Sequence, residues 1–243
     1  MALTSVAPSP TSEIGTRLHL LDRLELRCRG VAVTLPDASQ RPLAFLALSN
    51  RHQHRCTVAG TLWMDTTDER AAANLRTALW RVRKLSGGLV VSDGAYLRLG
   101  PQVRTDLADI TEAVGQLVAD PRAPEEPRTT AALLCRELLP EWQHDWVMLE
   151  RERLRQVRLH GLESLCRRLT ALGRYALAIE AGLLAVAVEP LRETAQRALI
   201  EAHLVERNVS EAVRQYDTYR DQLREHLGIE PSAELRAILA PCR

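Results

Sequence analysis

The sequence predicts a mainly α-helical chain in two parts, a small α+β domain followed by an all-α helical-repeat domain. Three observations carry this prediction. Short segments of alternating apolar residues open the chain. A strongly basic helix and an Asp-Gly hairpin signal then follow. Behind them an internal similarity recurs at an offset of 34 residues.

Composition sets the frame. A length of 243 residues can hold two small domains, and a hydrophobic fraction of 46% with only 4% aromatics implies cores of Leu, Val and Ala. The net charge of +1 hides an asymmetry. Arg17 to Arg104 carries 14 Lys/Arg against 7 Asp/Glu, whereas Thr105 to the end carries 18 against 23. A basic front and an acidic back point to a polyanion-binding module tethered to a second domain. Cys28, Cys56, Cys135, Cys166 and Cys242 are scattered and lack C-x-x-C spacing, which argues against a disulfide framework or zinc finger and for a reducing cytoplasm. No apolar run approaches the roughly 18 residues of a membrane span. Residues 1–16 are Ser/Thr/Pro-rich without the pattern of a signal peptide, and are expected to form a disordered tail. Lys84 is the single lysine beside 31 arginines, the mark of a GC-rich genome.

In the front half, Leu18, Leu20, Leu24 and Leu26 alternate with polar residues, and Val31, Val33 and Leu35 alternate again after the turn signal Arg29-Gly30. Short antiparallel strands are expected there. Ser39 is expected to cap a helix running through Leu48, with Pro42 in its first turn. Thr57 is expected to start a second short helix carrying Val58, Ala59, Leu62 and Trp63. After a polar loop, Met64 to Glu69, a third helix is expected from Arg70 to Ser86, stopped by Gly87-Gly88.

The third helix is the most informative segment. At about 100° per residue, Ala71, Leu75, Ala78, Leu79 and Val82 share one face, which should bury. Arg70, Thr77, Trp80, Arg81 and Lys84 lie around the opposite face, flanked by Asn74, Arg76 and Arg83. Between Arg70 and Lys84 there are five cations and no acid, so no i,i+4 pairs can neutralise them. Such a face suits phosphates and base edges. Leu89-Val90-Val91, Ser92-Asp93-Gly94 and Ala95 to Leu99 then read as a hairpin. Strands, three helices and a hairpin, in that order, make a winged helix-turn-helix.

The segment from Leu18 to Asp106 resembles the winged helix-turn-helix of the Streptomyces antibiotic regulatory protein family, through LHLLDRLELRCRG, SQRPLAFLAL, VAGTLW, AAANLRTALWRVRKL and DGAYLRL leading to VRTDL. The resemblance implies a third helix that enters the major groove of double-stranded DNA, with the hairpin wing beside it. By position it makes Asn74, Arg76, Thr77, Trp80, Arg81, Arg83 and Lys84 candidate DNA contacts. Arg83 and Lys84 match the paired basic residues of the family helix, and Trp80 stands where many members carry a smaller polar residue. It further implies that the loop before this helix touches RNA polymerase, through Asp65, Asp68 and Glu69.

Beyond Asp106 a helix is expected from Leu107 to Leu117, then a loop at Asp120 to Pro127. Helices follow, with breaks at Leu139-Pro140, Gly173, Pro190, Arg207-Asn208 and Gly228 to Pro231. RRLTALGRYALAIEAGLLAVAVEP and AHLVERNVSEAVRQYDTYRDQLREHLGIEP align at the 34-residue offset, setting Gly173 against Arg207 and Ala178 against Ala212. That is the tetratricopeptide period of helix, turn, helix. The region resembles the bacterial transcriptional activator domain of the same regulator family, through LLPEWQHDWVMLERERLRQVRLHGLESL, the repeat units and REHLGIEPSAEL. The expected organisation is therefore a tail (1–16), a winged helix-turn-helix (17–105) and a tetratricopeptide-like activator domain (106–243). Trp142 and Trp146, four residues apart, share one helix face if that segment is helical; they are expected to pin the first helices of the repeat domain together, the alternative being a partner or ligand surface.

No phosphate-binding glycine loop is present, and no cofactor or metal is expected. His52, His54 and Cys56 lack the second ligand pair of a zinc site. His144-Asp145 beside Glu141 has no nucleophile to serve, so no enzymatic activity is expected. The resemblance implies a cytoplasmic homodimeric activator that binds promoter direct repeats. The competing expectation is an interaction adaptor, or an autoinhibited regulator, in which Trp80 packs against a partner instead of facing DNA.

Overall fold

The computed structural model describes residues 15–119 and 127–240. Most of the expected tail and most of the 120–127 loop lie outside the described residues. The described chain is mainly helical, with its strands confined to the front, as the expected fold class requires. It divides into two compact units. The first runs to Asp109 and takes back Glu137–Met148, and the second comprises Ile110–Arg136 and Leu149–Arg243.

The first unit opens with three antiparallel strands, β1 (Thr16–His19), β2 (Glu25–Cys28) and β3 (Val31–Val33). Thr16 thus belongs to a strand and not to the tail. Leu18, Leu20 and Leu26 are buried as their alternation requires, whereas Val31 is exposed. Three helices follow: α1 (Asp37–Ser49), α2 (Arg55–Leu62) and α3 (Asp68–Leu85). The start of each is corrected by the structure. Pro36, not Ser39, precedes the first turn of α1. Ser39 is buried inside it with its hydroxyl unpartnered, and Pro42 lies beyond the first turn. His54, not Thr57, caps α2, its ring Nδ1 accepting from the Cys56 amide. Thr67 caps α3 by accepting from the Arg70 amide, so Asp68 and Glu69 are helical.

Short strands close the unit. β4 (Gln53–His54), which the sequence pattern does not announce, pairs with β6 (Tyr96–Leu99), and β6 pairs with β5 (Val90–Asp93). The hairpin loop is Gly94-Ala95, since Asp93 pairs with Tyr96. Positive φ at Gly94 but not at Ala95 matches a type II′ turn. β7 (Val103–Thr105) runs parallel to β1 and completes a sheet of order β3-β2-β1-β7.

Asp106 begins α4 (Asp106–Ala119), and its carboxylate accepts the Leu20 and Leu21 amides at 2.9–3.1 Å. Residues 137–148 return as a strap across this unit. Leu138 bridges Leu21, the Asp22 amide donates to the Glu137 carbonyl, and the Leu139 amide donates to the Leu20 carbonyl. This corrects the expectation for the tryptophans. Trp142 precedes α6 (Asp145–Ala171), so the pair does not share a helix face, and Trp146 joins the winged-helix core against Phe45.

The second unit holds the rest of α4 and α6, with α5 (Pro127–Leu134), α7 (Tyr175–Val188), α8 (Glu193–Val205), α9 (Val209–Leu227) and α10 (Ala233–Leu239). The helix breaks fall at the expected places. The repeat is physical: the Gly173 amide donates to the Thr170 carbonyl and the Arg174 amide to that of Leu169. Thirty-four residues on, the Arg207 amide donates to Leu204 and that of Asn208 to His203. Ala178 and Ala212 are both fully buried. Glu163 of α6, also buried, accepts from Arg192 Nε at 2.6 Å and Thr194 Oγ1 at 2.7 Å, tying α6 to the start of α8.

Candidate nucleic-acid interface

Helix α3 is positioned by its apolar stripe. Ala71, Leu75, Ala78 and Val82 are buried and Leu79 is half-buried; Ala71, Leu75 and Leu79 pack with Phe45 and Leu46 of α1 and Val58, Ala59 and Leu62 of α2. Burial of that stripe turns the opposite face outward. Arg70, Arg76, Thr77, Trp80, Arg81, Arg83 and Lys84 are exposed, and Asn74 is half-buried.

The cations on this face are unpaired. Among the described residues no ion pair or side-chain hydrogen bond engages Arg70, Arg76, Arg81, Arg83 or Lys84. In the second unit the contrast is plain: Arg155 meets Glu152, Arg192 meets Glu163, Arg214 meets Glu211 and Arg220 meets Asp217. The ends of α3 suit its dipole, with Asp68 and Glu69 in the first turn and Arg83 and Lys84 in the last.

Trp80 lies on this face and not in a core. It is 59% exposed, and the Lys84 ammonium sits 4.7 Å from its ring centroid, a cation–π pair across one helical turn. The Thr77 hydroxyl donates to the Ala73 carbonyl at 3.0 Å.

The hairpin beside α3 is held by a residue the sequence reading did not single out. Arg55, the first residue of α2, donates to the Gly94 carbonyl at 3.3 Å and to Ser92 Oγ at 3.0 Å, while its amide donates to the Ala95 carbonyl. A lone arginine ahead of a helix gives no sequence signal for this role, because its partners lie about 40 residues away. Tyr96, half exposed, packs edge-on against His54. Met64 and Asp65 remain in the exposed loop before α3. His54 caps a helix, and no group of three or more His, Cys, Asp or Glu among the described residues could hold a metal ion. No described helix is long and apolar enough to cross a membrane.

The family model of the bacterial transcriptional activator domain matches residues 105–241, more than half of the chain. The chain belongs to this family. With the winged helix in front of the activator domain, it is a transcriptional regulator of the Streptomyces antibiotic regulatory protein type. A solved structure, Mycobacterium tuberculosis EmbR in complex with a low affinity phosphopeptide, matches with a TM-score of 0.74 and 21% identity. The match covers 92% of the regulator and 63% of that chain, so the regulator spans less than two thirds of its length, and the likeness is one of fold. No curated protein matches the regulator.

Proposed function

We propose that the regulator is a sequence-specific activator that binds double-stranded DNA in the cytoplasm. In this reading α3 enters the major groove with Asn74, Arg76, Thr77, Trp80, Arg81, Arg83 and Lys84, and the β5–β6 hairpin lies against the backbone. The DNA-binding domain spans 17–105 and the activator domain 106–243, whose residues 137–148 strap the former. The regulator works as a homodimer on promoter direct repeats and recruits RNA polymerase through Asp65, Asp68 and Glu69.

One observation carries the reading: five exposed cations on α3 without an acidic partner, in a chain whose other arginines are so often paired. Unpaired cations on a rigid helix are what phosphate neutralisation requires. Trp80 is exposed beside Lys84 on this face, so the indole is not used in a core of the described chain.

The test begins by recovering genomic fragments bound by the full chain, and measuring affinity for the recovered duplex across a salt series. Affinity should fall steeply as salt rises, and Arg81→Ala with Lys84→Ala should weaken binding by roughly 10-fold or more at moderate salt. Unchanged affinity in the double variant would remove α3 from the interface. Asp65→Asn with Asp68→Asn and Glu69→Gln should keep DNA binding and lose transcription from the recovered promoter in vitro.

A further inference from the structure

Most of the exposed face of α3 is cationic, but one spot is apolar. Thr77 and Trp80 are three residues apart, hence neighbours on the helix surface. The Thr77 hydroxyl has its proton committed to the Ala73 carbonyl, which leaves the side chain no donor for a base edge, only its methyl group and an acceptor oxygen. The Trp80 indole is 59% exposed, and its ring is fixed from one side by the Lys84 ammonium. Arg76 and Arg81 rim the spot with charge.

Resting on the DNA-binding reading above, we infer that Thr77 and Trp80 read a thymine by its C5-methyl group. Guanine presents two acceptors, N7 and O6, to the major groove, which the donor forks of Arg76 and Arg81 can address. An indole has one N–H donor and no acceptor, so it cannot make a bidentate pair with any base. What it offers is apolar area. The thymine methyl is the apolar group that B-DNA presents in the major groove. The Lys84–Trp80 contact biases the ring before DNA arrives: the ammonium lies over one face of the indole and leaves the other face and the ring edge to a base. Trp80 is therefore a specificity-determining residue, and Lys84 a positioning residue for it as well as a phosphate contact.

The experiment uses the full chain and the tightest duplex recovered by selection from a random library. Each thymine is replaced singly by uracil, which removes the methyl and keeps the O4 acceptor and the pairing. With wild-type protein, one thymine position, or its equivalent in each repeat, should lose about four-fold in affinity, the worth of one buried methyl group. The same replacement should cost nothing in Trp80→Ala, while Trp80→Phe, which keeps an apolar ring, should retain the preference. Circular dichroism checks that both variants are folded, as expected for an exposed position. Salt-sensitive binding in which no thymine methyl matters, or a methyl effect that persists in Trp80→Ala, overturns this inference and leaves the DNA-binding reading standing. Failure of the wild-type chain to bind any duplex overturns both.

Discussion

Trp146 packs edge-on against Phe45, with ring centroids 5.4 Å apart and planes at 77°. One residue lies in the first turn of α6 and the other in α1, 101 positions apart in a chain of 243. Around them His144 stacks on Trp146 at 5.7 Å, and Trp142 meets both rings edge-on. The winged helix thus borrows an aromatic anchor from the region matched as activator domain. Trp146→Ala should destabilise the first unit by about 2–4 kcal/mol, somewhat less than truncating a fully buried aromatic. Hydrogen exchange of the full chain is the suitable readout, because it resolves units that unfold separately. Amides of α1 should lose protection while those of α8 do not; equal loss in both would contradict a local anchor.

Asp106 makes a second such tie. Its buried carboxylate is the acceptor for two consecutive backbone amides, those of Leu20 and Leu21, where β1 leaves its sheet. Asp106→Ala would leave both amides without that acceptor, at a cost of roughly 2–4 kcal/mol. Asp106→Asn keeps one neutral acceptor oxygen and should cost about half as much. Chemical denaturation of the two variants checks the order; an alanine variant as stable as the asparagine one would refute the acceptor role.

The repeat turns differ in one residue that matters. Gly173 and Arg207 occupy equivalent places, and both are left-handed, with φ of 71° and 68°. Glycine takes that conformation freely, whereas a residue with a Cβ is strained there by roughly 1 kcal/mol. Arg207 is exposed. Arg207→Gly should therefore stabilise the second unit by up to about 0.5 kcal/mol, after the loss of chain entropy that glycine brings. A small rise in the denaturation midpoint is the expected result, and a fall would mean that the arginine side chain contributes a contact larger than its backbone strain.

The same pair of residues shows what the sequence could tell. The 34-residue offset was visible in apolar spacing alone, and it corresponds to backbone hydrogen bonds repeated residue for residue. The buried stripe of α3 was equally readable, because helical period and burial share one cause. Helix starts were less so. Ser39, Thr57 and Arg70 read as starts, but the capping acceptors are His54, where β4 ends, and Thr67, in the loop after α2. β4 and β7 are two and three residues long, too short for any periodicity, and exist through partners far away in sequence. The strap at 137–148 failed to announce itself for the same reason: it looks like helix packing until Phe45 is brought to Trp146 and Leu20 to Leu139. Of the site, the cationic face was legible. The Lys84–Trp80 contact and the Arg55 clamp on the hairpin were not, because rotamer choice and cross-element distance leave no trace in spacing.

His203 stands where the preceding repeat has Leu169, a substitution of a titratable ring into an apolar position. The ring is 8% exposed, and its Nδ1 has no hydrogen-bond partner. Burial pushes the His203 pKa below its ordinary value; Glu211 and Glu206 pull it back upward, and Arg214 lowers it further. The fold therefore favours the neutral ring. With the folded value below the unfolded one, the contribution of this residue is fully present above the unfolded pKa of about 6.5 and is lost as pH falls from there through the folded value. His203→Leu, which restores the residue of the other repeat, removes the titration at nearly constant volume. Urea midpoints measured between about pH 7.5 and pH 5 should fall more steeply for the wild-type chain than for the variant. Parallel pH dependence in the two proteins would assign the acid sensitivity of the repeat domain to its carboxylate pairs instead of this ring.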